Sequence, residues 1–271
     1  MARMDAKLVG TTEEELKKAL DCQKEVWDLL KKDGKLNIPK DDIFLLRFVR
    51  AKKYNSEVVV QSLKKYYDAR RKFAKQFENF YPSRYRHVLE SGIIGLLKNR
   101  DDLQRKTFVF RVSKWDPDVI SFEDITIACV LVAEQMSWCP VNQCHGAVIL
   151  IDENGLGLAH ARQCTLPAMH KLIVFMQDNF PGRYKALHLV NQPYVLDLFC
   201  NLVKRFIAKR LQSRVKLHRD AESLTELVSP DILPKSLGGN LEEDDAFDDE
   251  LVPAMLRMEN YYKELAKYGF V

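Results

Sequence analysis

Apolar residues recur at helical spacing through the first third of the chain and give way to short apolar runs beyond about residue 85. Thr12-Glu13-Glu14-Glu15 has the form of a helix start, a hydroxyl cap followed by acids in the first turn, and predicts a helix ending near Asp33-Gly34. Asp41-Asp42 caps a shorter helix that carries Phe44, Leu45, Phe48 and Val49 on its apolar side and Arg47, Arg50, Lys52 and Lys53 elsewhere. Ser56 opens a third, whose Val59, Leu63, Tyr66, Phe73 and Phe77 roughly keep the helical repeat. Tyr81-Pro82-Ser83 reads as a linker, which sets residues 1–84 apart as a helical unit.

The second part alternates strands with helices. Thr107-Phe108-Val109-Phe110-Arg111-Val112 predicts a strand and Trp115-Asp116-Pro117 a turn. Residues 121–138 predict a helix that is apolar on most sides and therefore buried, with Ile125, Cys129, Val132, Ala133 and Met136 on one face. Ala147-Val148-Ile149-Leu150-Ile151 is a continuous apolar run suited to a central strand covered on both faces. A helix starting at Thr165, with Pro167 in its first turn, carries Met169, Leu172, Phe175, Met176 and Phe180 until Pro181-Gly182 breaks it. Ala186–Val190 and Val215–His218 predict two further strands. The order implies an α/β fold with a mostly parallel sheet.

Composition excludes more than it identifies. With 271 residues, 46% hydrophobic and 30% charged, the chain has the balance of a folded domain rather than of a disordered one. It contains no apolar run of about 18 residues, so no membrane-spanning helix is expected. The polar start, Met1-Ala2-Arg3-Met4-Asp5, lacks the apolar stretch of a secretion signal and points to the cytosol. Six cysteines, Cys22, Cys129, Cys139, Cys144, Cys164 and Cys200, lie scattered in apolar stretches, as buried free thiols of a reducing compartment do.

The usual enzymatic signatures are missing. Gly155-Leu156-Gly157 follows the Asp152 strand end, but the third glycine of a dinucleotide turn falls on His160. Neither a phosphate loop ending in Gly-Lys-Ser/Thr nor a Gly-x-Ser-x-Gly elbow occurs. His87, His145, His160, His170, His188 and His218 are spread singly and read as structural, and Asp152-Glu153 reads as a solvated strand end. No catalytic residue, metal site or cofactor is expected.

Charge is uneven. Residues 204–219 hold Lys204, Arg205, Lys209, Arg210, Arg214, Lys216 and Arg219 with no acid, whereas seven acids crowd residues 242–250. The acidic run reads as a solvated loop. The basic run is short and lacks the interleaved aromatics of a nucleic-acid surface. It directly follows Val195, Leu198, Phe199, Leu202, Val203 and Phe206, an apolar helical stripe widened by Leu196 and Cys200. Such a helix either inserts into an anionic membrane interface or packs on the core with a wet basic end.

Phe44-Leu45-Leu46-Arg47-Phe48-Val49-Arg50-Ala51, Trp115-Asp116-Pro117, Phe180-Pro181, Leu187 through Pro193, Pro230 through Pro234 and Leu237-Gly238-Gly239, in this order and spacing, resemble the CRAL-TRIO family, and most closely its tocopherol- and retinaldehyde-binding branch. The resemblance runs from about residue 40 to residue 260. It implies a lipid-binding domain over residues 85–250, with a sheet flooring an apolar cavity, and a helix over 251–271 packed on it. It implies a cavity lined by Cys129, Ala133, Ile149, Ile151, Leu156, Leu172, Phe175, Met176, Phe180 and Leu187. The segment from Tyr194 matches a lid, with Val195, Leu196, Phe199, Leu202, Val203 and Phe206 on its apolar face. Lys52, Arg183, Lys185, Arg210 and Arg214 match positions that bind phosphoinositide headgroups. The function so implied is non-enzymatic carriage of a small hydrophobic lipid, with release at a phosphoinositide-containing membrane. A phosphoinositide-sensing membrane adaptor without exchangeable cargo is the alternative.

Overall fold

A computed structural model describes residues 12–194 and 197–271. Helix α1 (Glu13–Asp33) starts on a reciprocal cap: Glu15 N donates to Thr12 Oγ1 at 3.2 Å, and Thr12 N donates to the Glu15 carboxylate at 3.3 Å. It ends where Gly34 takes the left-handed conformation at φ 65° and donates its N–H to Leu30 O. Helix α2 (Asp42–Ala51) is capped by Asp41, whose carboxylate accepts from Phe44 N at 2.9 Å, and α3 (Ser56–Lys72) by the side chain of Asn55.

Helix α4 (Phe122–Trp138) is buried along nearly its whole length, as its all-round apolar sequence requires. It packs against α1–α3 across a polar contact. Arg47 of α2 donates through Nη1 to Glu134 of α4 and to Ser137 Oγ at 2.8 Å, while Tyr66 of α3 donates to Glu134 at 2.5 Å. The Arg47 and Glu134 side chains are only 2% and 1% exposed, so loss of either partner strands a buried charge at a cost of about 3–5 kcal/mol. Tyr81-Pro82-Ser83 is not an open linker: Pro82–Tyr85 and Arg86–Leu89 form packed helical turns, and Ser83 bonds to Glu259. One apolar core is shared by α1–α3, α4 and the C-terminal Tyr262 and Leu265.

The main sheet has the order β2-β3-β4-β5-β6, built from β2 (Ile94–Leu96), β3 (Lys106–Arg111), β4 (Ala147–Asp152), β5 (Tyr184–Val190) and β6 (Val215–His218). All neighbours are parallel except β2, which is antiparallel to β3. A second, two-stranded sheet joins β1 (Leu36–Asn37) to β7 (Gly269–Phe270) and so ties the chain's end to its start.

In β4 the side chains alternate strictly. Val148 and Leu150 are buried on the back of the sheet, while Ala147, Ile149 and Ile151 on the front are only half-buried. The expected central strand is therefore covered on both faces, by direct packing on the back and by helices across a space on the front.

Behind the sheet, Val109, Leu150 and Val190 pack under Leu224 of the short helix α8 (Ala221–Thr225), together with Ile232, Leu233 and Leu237. In front lie α4 and the helix α5 (Leu166–Val174), which continues as a π-helical turn, Phe175–Asn179. Helix α6 (Asp197–Lys204) and the short turn α7 (Lys209–Gln212) follow β5, and the chain closes with α9 (Leu251–Arg257) and α10 (Glu259–Leu265).

The acidic stretch is a strap along the sheet edge rather than a free loop. Asp248 N donates to Leu96 O at 2.9 Å and Lys98 N to Ala246 O at 2.8 Å. Lys106 pairs with Asp248, and Arg111 with Glu243, each at 2.9 Å, while the Arg111 guanidinium lies 4.0 Å over the Phe247 ring.

Candidate ligand cavity and basic rim

The strand register builds the floor of a cavity. Phe108 of β3 lies opposite Ile149 of β4, Ile149 opposite Leu187 of β5, and Leu187 opposite Val215 of β6. One step along, Phe110, Ile151 and Leu189 form a second row. All seven face a cavity of about 360 Å³, walled by α4 and α5 and closed by α6. That volume lies within the range of sites for small apolar ligands, about 300–1,000 Å³.

Nine of the ten cavity positions expected from sequence line it: Cys129, Ala133, Ile149, Ile151, Leu156, Leu172, Met176, Phe180 and Leu187. Phe175 does not. Met169, Leu172, Ile173 and Met176 form the i, i+3, i+4, i+7 row that meets the cavity, and Phe175 lies beside that row. It is 4% exposed, with its ring 5.6 Å from Phe77 and 6.3 Å from Phe180. Burial pushes the Cys129 thiol up to about 12, so it is neutral near pH 7 and forms an inert apolar wall.

Phe108, Phe110, Val112, Trp115 and Met136 also line the cavity and were missed. The signal was present in the alternation of Phe108 and Phe110 along β3, continued by Val112 just past its end. Arg47, Ser137, Asn142, Gln143 and Tyr184 contribute an unforeseen polar end.

Of the lid residues, Phe199 and Val203 face the cavity, together with Cys200, Lys204 and Ile207. Leu202 and Phe206 do not: Leu202 lies beside the Phe199, Cys200, Val203 and Lys204 stripe of α6, and Phe206, beyond the end of α6, places its ring 4.9 Å from His170. Val195 and Leu196 lie outside the described residues. Tyr194 and Leu198 are 90% and 76% exposed, a large apolar display beside the closure. The segment after α6 is latched: Gln177 Nε2 donates to Phe206 O at 3.0 Å, and Ala208 N donates to Gln177 Oε1 at 2.9 Å.

Lys52, Arg183, Lys185, Arg210 and Arg214 come from three stretches of the chain and interact electrostatically in two groups, Lys52 with Arg210 and Lys185 with Arg183 and Arg214. Burial, then Arg210, holds the Lys52 ammonium below its usual range, and burial, then Arg183 and Arg214, does the same to Lys185. Arg183 donates to Gln143 O at 2.9 Å and Arg214 to Tyr184 O, and both reach the cavity wall. Arg210 instead pairs with Asp178 at 2.9 Å and donates to Gln177 O at 2.7 Å.

Two of the histidines read as isolated meet behind the sheet. His188 Nδ1 lies 2.8 Å from His218 Nε2, and His218 Nδ1 lies 3.0 Å from Ser223 O. The carbonyl needs a donor, so His218 carries its proton on Nδ1 and His188 donates to its Nε2. Among the described residues no group of three or more His, Cys, Asp or Glu stands together as a metal-ligand set. No described helix is long and apolar enough to cross a membrane.

Comparison with known proteins agrees with this architecture. The family model of the CRAL/TRIO domain matches residues 89–239, more than half of the chain. The chain belongs to the CRAL/TRIO domain family. Among CRAL/TRIO relatives, Clavesin-1 of Rattus norvegicus is 32% identical over 204 residues, covering 74% of this chain and 58% of its own. The alpha-tocopherol transfer protein-like protein of Homo sapiens is 33% identical over 218 residues, covering 80% of this chain and 64% of its own. The chain thus spans about three fifths of the length of these relatives. The crystal structure of Sfh5 superimposes with a TM-score of 0.55 at 12% identity, covering 92% of this chain and 98% of that one, which is a likeness of fold.

Proposed function

We propose that this chain is a carrier without catalytic activity, which holds one small hydrophobic lipid in the cavity and exchanges it at membranes containing phosphoinositides. A retinoid, a tocopherol, a carotenoid or a lipid of similar size and character is the class of cargo the apolar wall suits. The observation that supports this most is the joining of an apolar cavity to a basic rim: Arg183 and Arg214 belong to both. Its CRAL/TRIO relatives include a protein named for tocopherol transfer, which accords with the reading.

The physical logic has two steps. Each methylene taken out of water contributes about 0.8 kcal/mol, so the cavity retains a lipid and releases it slowly while closed. Opening α6 exposes Phe199 and Val203, and a bilayer interface offsets that exposure. Basic side chains near an anionic surface contribute on the order of 1 kcal/mol each and turn the mouth toward the membrane. A phosphoinositide that draws Arg210 away from Asp178 favours the open state through that preference alone.

Vesicle-to-vesicle transfer of a fluorescent retinoid tests this, with and without phosphoinositide in the acceptor. The expected result is faster transfer to phosphoinositide vesicles, with the gain lost in a variant carrying Arg183→Ala and Lys185→Ala. Headgroup-dependent vesicle binding with no lipid uptake at all would instead identify an adaptor.

A further inference from the structure

The cavity is not apolar throughout. Where β4 and β5 begin, its wall is formed by Arg47, Ser137, Asn142, Gln143 and Tyr184. The hydrogen-bonding capacity at this end is unevenly spent. Arg47 uses Nη1 on Glu134 and Ser137 and lies 4.3 Å over the Phe44 ring, while its Nε and Nη2 find no oxygen acceptor. The Tyr184 hydroxyl has no partner either, and its ring lies so close over Gly182 that a Cβ there would come 2.5 Å from the oxygen.

The remaining groups are committed. Ser137 Oγ donates to Glu134 O at 2.7 Å. Gln143 accepts from Arg50 at 2.5 Å and donates to Ser137 O at 2.9 Å. Asn142 donates to Met136 O at 2.8 Å, which leaves its Oδ1 unspent beside two Arg47 nitrogens that only donate and the Tyr184 hydroxyl, which donates or accepts. Unpaired buried donors cost about 1–3 kcal/mol each, more where the group is charged.

Charge is unbalanced in the same sense. Arg47, Arg50 and Arg70 are 2%, 2% and 7% exposed, and the buried carboxylate among them is Glu134. Arg50 meets the neutral Gln143, and Arg70 donates to the neutral Tyr66 hydroxyl at 3.0 Å. Burial and Glu134 raise the Tyr184 phenol far above its ordinary range, so it is a donor and not an anion near neutral pH. Opposite this end, the cavity closes on Trp115, Phe122 and Leu156, which suit a hydrocarbon tail, beside the buried Glu153.

We infer that the cavity selects lipids with an acidic head: a long-chain carboxylic acid seats its carboxylate against Arg47 and Tyr184 and its tail against Trp115 and Leu156. This rests on the carrier reading above and specifies its cargo. A carboxylate supplies acceptors only, and its charge offsets the excess of buried arginine. These donors are covered at the wall, so seating the head needs Tyr184 to turn toward the cavity and Arg47 to open toward it through Nη2 while Nη1 stays on Glu134.

Competition measured by native mass spectrometry tests the inference. The whole chain is offered an equimolar mixture of a long-chain unsaturated carboxylic acid, the primary alcohol of the same tail and the methyl ester of the acid. The acid should occupy the protein at least about tenfold more than either neutral analogue. Arg47→Lys, which keeps the charge facing Glu134, and Tyr184→Phe, which removes one hydroxyl, should each lower the acid-to-ester ratio at least about threefold. Because the ratio is read within one sample, partial loss of folded protein does not distort it. Equal occupancy, a preference for alcohol or ester, or uptake of some other lipid with none of the three bound would overturn the acid-head assignment and leave the carrier reading standing. No uptake of any lipid, even from a mixed extract, would overturn both.

Discussion

The two faces of the main sheet are built from the same residue types and do opposite things. Behind it, Val109, Leu150 and Val190 are fully buried under Leu224, Leu233 and Leu237, themselves without exposure. In front, Ile149, Ile151 and Leu187, from the same strands β4 and β5, are only partly covered and border open volume. Alternation along a strand assigns one residue to packing and the next to the cavity. Stability and cargo binding are thus separated at single-residue spacing, which makes the division testable by paired substitutions.

The largest expected effect comes from breaking the packed face. Leu150→Ala should lower unfolding free energy by about 3 kcal/mol, because it adds a void to a close-packed site. Ile149→Ala, one residue away, should cost about 1 kcal/mol, since its side chain already borders space, and should instead weaken lipid retention. Denaturant unfolding of both variants measures the contrast, and equal losses would refute the division.

Acid should loosen the packed face first. Burial, followed by His218 and the cations Arg105 and Lys216, lowers His188 to about 4. In the unfolded chain a histidine titrates near ~6.5. Between those values the unfolded chain takes up a proton that folded His188 refuses, so its contribution is complete above pH ~6.5 and is lost as pH falls toward 4, by on the order of 2 kcal/mol. His188→Gln should flatten that slope in thermal melts recorded across the range.

Much of the packed framework was legible in the sequence because its signals are local. The cap at Thr12, the stop at Gly34, the all-apolar helix from Phe122 and the apolar run of β4 each announce themselves within a few residues. Strand β2 did not, since three residues with Gly95 at the centre carry no period, and its outer edge is fixed by the strap from 246–248. The cavity was legible in part. Nine lining residues followed from the resemblance, whereas Phe175 fell beside the stripe that only the helix orientation defines. Arg47 looks like an ordinary surface arginine in its own helix, and becomes buried through Glu134, 87 residues away. Likewise, six scattered histidines give no hint that two will meet across β5 and β6.

The smallest expected effect concerns the closure of the open face. The Arg210–Asp178 pair is partly exposed, at 61% and 37%, and such pairs contribute about 0.2–1 kcal/mol. Asp178→Asn should therefore raise the basal rate of lipid transfer by at most about fivefold. It should also shrink the further gain from phosphoinositide, with little change in melting temperature.

The central claim is that the open face holds cargo, and the most direct test is mass spectrometry of the purified protein after incubation with a mixed lipid extract. Native spectra should show one lipid per chain, released intact on denaturation, with occupancy abolished by filling the floor through Ile149→Trp. A chain that leaves the extract without any lipid, while still folded, would contradict the account.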